Sequence, residues 1–81
     1  MSKKQIEECI RASLEGYFKD LRGSQPHNLH EMLVLAVEKP LLEVVMTQVD
    51  GNQCKAAEWL GLNRNTLRKK LLTHNLMKVK P

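Results

Sequence analysis

Between Asn63 and Leu71 the chain reads NRNTLRKKL, so that Arg64, Arg68, Lys69 and Lys70 fall within one short window with Asn63, Asn65 and Thr66 among them. The cluster offers fixed cations beside amide and hydroxyl groups. It can bind. Arginine grips guanine O6 and N7 with two parallel hydrogen bonds, asparagine suits adenine, and lysine, threonine and amide groups suit phosphate oxygens. The alternative chemistries lack parts. No Ser/His/Asp or Cys/His set, phosphate-binding loop or carboxylate pair appears, and 81 residues leave little room for a substrate pocket. We therefore expect no enzyme and no cofactor. His27 and His30 make an HxxH pair without further ligands at matching spacing, so no metal site is expected.

The charge is divided unevenly. Residues 1–50 carry 6 Lys and Arg against 8 Asp and Glu, whereas residues 51–81 carry 7 against the single Glu58. Only the second part suits a polyanion. The two cysteines, Cys9 and Cys54, are far apart and belong to no CxxC pattern, which fits a reducing compartment. No apolar run is long enough for a membrane span or a signal peptide, so the expected location is the cytoplasm.

To reach a groove, the cations need a helix, and the sequence supplies two around one glycine. Asn52 can cap a helix from Gln53 to about Leu60; Gly61 interrupts; Asn63 can cap a second from Arg64 to about Thr73. Ala56 and Ala57 are small where the helices cross, and Leu60, Leu62, Leu67 and Leu71 supply a shared core. That spacing is a helix-turn-helix, with Arg64, Asn65, Arg68 and Lys69 on the outer face of its second helix. Cys54, near the start of the first, is expected to be a half-buried small side chain. Trp59 is expected to cover core, with contact to a partner such as RNA polymerase as the second reading.

Two longer helices precede this unit. Ile6, Ile10, Leu14, Tyr17 and Leu21 recur at steps of three and four, predicting an amphipathic helix from about Lys4 to Arg22, ended near Gly23. Asn28 followed by Glu31 has the pattern of a capping box for a second, from about Leu29 to Val49. Pro40 in its middle requires a kink or a break; the unbroken periodicity favours the kink. Apolar residues lie on more than one face of this second helix, and Leu35, Leu42, Met46 and Val49 are expected to lack cover within one chain. The simplest cover is a second copy. The reading is then an all-α, single-domain homodimer, with residues 4–50 for dimerisation and 51–81 for double-stranded DNA. The competing reading is a helical dimerisation or adaptor protein whose basic face meets an acidic protein surface.

GNQCKAAEWLGLNRNTLRKKL (Gly51–Leu71), with SLEGYFKDL (Ser13–Leu21) and LAVEKPLLEVVM (Leu35–Met46), resembles the family of the bacterial factor for inversion stimulation, Fis, over roughly Ile10–Met77. The resemblance implies an intertwined four-helix homodimer that bends DNA in the bacterial nucleoid and so regulates transcription and other DNA transactions. It implies Arg64 as the base-reading arginine and Asn63 beside it at the base edges. Asn52, Thr66, Arg68 and Lys69 follow as phosphate contacts, with Lys70 as a weaker one. Three departures stand out. Only about nine residues precede the matching region, short of the arm by which longer members touch a DNA invertase, so that partner is not expected. Cys54 replaces a phosphate-contacting hydroxyl residue, and Leu72 and Thr73 replace two lysines, with Lys78 and Lys80 as the nearest substitutes.

Overall fold

The computed structural model describes residues 2–77, and these form four helices with no strand among them: α1 (Lys3–Leu21), α2 (Leu29–Gln48), α3 (Gln53–Leu60) and α4 (Arg64–Thr73). Each end has a local cause. Ser2 starts α1 with a full capping box: its hydroxyl accepts from the Gln5 N–H, and the Gln5 side chain accepts from the Ser2 N–H. Arg22 in the left-handed conformation, followed by Gly23, ends it. At α2 the structure corrects the sequence reading. Asn28 is itself left-handed, at φ 51°, and makes no side-chain capping bond, so the Asn28/Glu31 box does not form. A left-handed residue does not supply the extended geometry a capping side chain needs to reach back over the first turn. Pro40 does not split the helix, and α2 runs through it as one element.

The buried core is small and lies late in the chain. It consists of Leu42 of α2 and Val49 just past its end, Ala56 and Ala57 of α3, and Leu67 and Leu71 of α4, with Val45, Met46, Leu60, Leu76 and Met77 packed around it. Here a second correction is required. Leu42, Met46 and Val49 do not wait for a partner; α3 and α4 of the same chain cover them. Of the four residues expected to lack cover, only Leu35 remains exposed. A helix that is apolar all round announces that it is covered without saying by which neighbour, and its C-terminal half is claimed by the helix-turn-helix.

The other half is bare. No residue of α1 is buried, and Ile6, Phe18, Met32, Val34, Leu35, Val37, Leu41 and Val44 are exposed. Ile6, Cys9 and Ile10 of α1 share an open groove with Ala36, Val37 and Pro40 of α2. The radius of gyration is 15.4 Å, against about 12 Å for a compact domain of this length.

Candidate nucleic-acid interface

The site begins with two asparagines that each use one end of the side chain on the backbone. Asn52 Oδ1 accepts from the Lys55 N–H at 3.1 Å, and Asn63 Oδ1 accepts from the Asn65 N–H at 2.7 Å. Both residues are extended and exposed, as the start of a helix requires. With the oxygens engaged, each amide group keeps its N–H donors for an outside acceptor, beside a helix end whose own N–H groups carry partial positive charge.

Gly61 makes the turn between the helices. It is left-handed, at φ 70°, and the Leu62 N–H then reaches back to the Ala57 carbonyl at 2.9 Å. That six-to-one bond closes α3 and turns the chain into α4. Ala56 and Ala57 are buried at the crossing, and Leu67 is 0% exposed. Because Leu67 and Leu71 fix which side of α4 is inside, Arg64, Asn65, Thr66, Arg68 and Lys69 are all exposed. No acidic residue lies within α4.

Asn63, Arg64, Asn65, Thr66, Arg68 and Lys69 thus stand at the start and along the outer face of α4, and Asn52 and exposed Cys54 stand at the start of α3. Cys54 is not half-buried as expected. Lys70 departs from the expected set. Its ammonium lies 2.8 Å from Glu38 Oε2 on α2, and it is only half exposed. Glu38 Oε1 meets His74 Nε2 at 2.9 Å, and the His74 side chain is 7% exposed. The hydrogen bond from Lys70, then that from His74, hold the Glu38 carboxyl below the usual glutamate value, against the opposing effect of burial. Sequence reading missed Glu38 and His74, which are 36 positions apart. Lys78 and Lys80 lie outside the described residues.

Trp59 also differs from expectation. It is 56% exposed, with the Lys55 ammonium 5.7 Å from its ring centroid. On an eight-residue helix whose buried side is Ala56 and Ala57, position 59 falls beside position 55 on the solvent side.

A capped helix, a glycine turn and a second capped helix with a basic outer face define the class: a helix-turn-helix protein. Residues 35–73 match the family described as bacterial regulatory protein, Fis family. A "Putative Fis-like DNA-binding protein" of Ralstonia nicotianae is 53% identical over 77 residues, covering 95% of this chain and all of the relative. One of the same description from Neisseria meningitidis is 58% identical over 72 residues, covering 89% of this chain and 91% of its own. The "DNA-binding protein Fis" of Aliivibrio fischeri is 40% identical over 76 residues, covering 94% of this chain and 78% of its own. The chain belongs to the Fis family.

Proposed function

We propose that the chain is a homodimeric DNA-binding protein of the bacterial cytoplasm that bends its site and regulates transcription and other DNA transactions. The observation that carries this reading is the outer face of α4. Arg64, Asn65, Thr66, Arg68 and Lys69 are all exposed, while Leu67 and Leu71 anchor the opposite side. A helix held by one side and charged on the other enters a major groove, its first turn meeting base edges and its flank meeting phosphates. Arg64 is in that first turn; Lys69 lies further along.

The second copy is supported by area. The chain exposes 6870 Å². A compact monomer of 9.3 kDa exposes about 5,000 Å². The excess of about 1,900 Å² is of the size that a subunit of an intimate dimer covers, and the exposed apolar residues of α1 and α2 are where a second copy would lie. Two copies carry two recognition helices, and a duplex that must meet both can be made to curve, with deformable sequence preferred at its centre. In this division α1 and the outer face of α2 dimerise, while α3 and α4 contact DNA.

Titration of duplex at rising salt, with two variants, tests the reading. Binding should fall steeply with salt while a preferred sequence keeps an advantage. Arg64→Ala should cost about 1–3 kcal/mol per half-site on the preferred duplex and much less on a scrambled one. Lys69→Ala should weaken both alike and lower the salt slope by about one for each phosphate no longer neutralised. Tight binding to acidic proteins with none to duplex supports the adaptor reading instead.

A further inference from the structure

The Glu38 carboxylate joins α2 to the helix-turn-helix in a way that apolar packing does not. Its two oxygens are divided between Lys70 Nζ at 2.8 Å and His74 Nε2 at 2.9 Å, which stand one turn apart at the end of α4. Among the described residues no other side-chain hydrogen bond joins α2 to the helix-turn-helix. The three groups are sheltered: the Glu38 side chain is 17% exposed, and Lys70 and His74 are the charged or titratable groups that face it. On its other side Glu38 borders the open apolar groove of Leu33, Val34, Val37 and Leu41. The same residue therefore touches the helix that carries Arg64 and the surface proposed for the second copy.

We propose that Glu38 is a positioning residue for α4, fixing its roll and lean on α2 and so the separation of the two DNA-reading helices in the dimer; this rests on the DNA-binding function proposed for the chain. Leu42, Leu67 and Leu71 hold α4 against the core, but apolar contact has no preferred direction and tolerates roll. Two charge-assisted hydrogen bonds, spaced by one helical turn and ending on one carboxylate, do have a direction. A two-fold dimer reads two half-sites whose centre-to-centre distance must match that of its recognition helices. Any change in lean at one α4 is repeated by symmetry at the other. Glu38 thereby acts on which half-site spacing is accepted, without touching DNA.

The test uses the full chain. A symmetric site is selected with the wild-type protein from random-sequence duplex, and affinities are measured for that site and for versions with one base pair added to or removed from the centre. Wild type should discriminate against the altered centres by about tenfold or more, and Glu38→Gln should reduce that ratio about three- to tenfold, the range expected when the net worth of one ordinary hydrogen bond is lost. Binding to random duplex should be unchanged. His74→Gln, whose amide still donates, should keep the wild-type ratio, whereas His74→Leu should lose it; this pair decides the matter if Glu38→Gln fails to fold. Unchanged spacing discrimination in Glu38→Gln or His74→Leu overturns the proposal, as does an equal loss on every duplex including random DNA. A wild-type protein that binds no duplex overturns the DNA-binding function first, and the positioning role falls with it.

Discussion

Lys55 holds its ammonium 5.7 Å from the ring centroid of Trp59, and the pair stands on the solvent side of α3, opposite Ala56 and Ala57. Cation–π contacts at exposed sites contribute about 0.5–1 kcal/mol. Trp59→Ala should therefore leave urea unfolding within about 1 kcal/mol of wild type. A loss of about 3 kcal/mol or more, in the range of a buried aromatic, would mean that the ring is covered by the second copy in solution.

Leu42 and Leu35 are seven positions apart on α2 and separate two kinds of burial. Leu42 is 1% exposed within one chain and Leu35 is 37% exposed. Leu42→Ala should cost about 2–5 kcal/mol, because it removes packing from the helix-turn-helix and leaves a residual cavity there. Leu35→Ala should leave that unit intact and weaken association, so that the melting temperature becomes more dependent on protein concentration. Thermal melts over a wide range of concentration distinguish the two. Equal sensitivity to dilution in both variants would remove the division.

Gly61 has open space where a Cβ would stand, and its only obstacle to substitution is φ 70°. Gly61→Ala should therefore cost about 1–2 kcal/mol, the penalty of a left-handed backbone, with no packing contribution. Chemical denaturation measures it. A cost well above that range would show that the turn must approach something closely.

Glu38 gives stability a pH dependence whose sign follows from its partners. Its folded-state pKa lies below the unfolded value because Lys70 and then His74 donate to the charged form. The contribution is complete above the ordinary glutamate pKa and is lost as pH falls through the lowered one. The stability difference between wild type and Glu38→Gln should be flat at neutral pH and shrink below about pH 5. Denaturation curves at several pH values check it; a difference that grows on acidification would reverse the assignment.

The helix limits were legible because they depend on neighbours in sequence. Asn52, Gly61 and Asn63 mark α3 and α4 at the residues where they start and stop, and the α4 outer face follows from the placement of Leu67 and Leu71. What was not legible depends on residues distant in sequence. Which half of α2 the helix-turn-helix covers could not be read from a helix apolar on several faces. Lys70 looked like another outward cation because its partner is 32 positions away. Asn28 had the right type for a cap but not the backbone conformation.

The position of the core in the chain has a consequence for synthesis. Every buried residue lies between Leu42 and Leu71 among those described, so the part that leaves the ribosome earlier is the part with no fully buried side chain. The later half can close on itself from contacts that are near in sequence, a topology that folds fast. The earlier half emerges as exposed apolar helix, and until it meets a partner it is the stretch most open to proteases and aggregation.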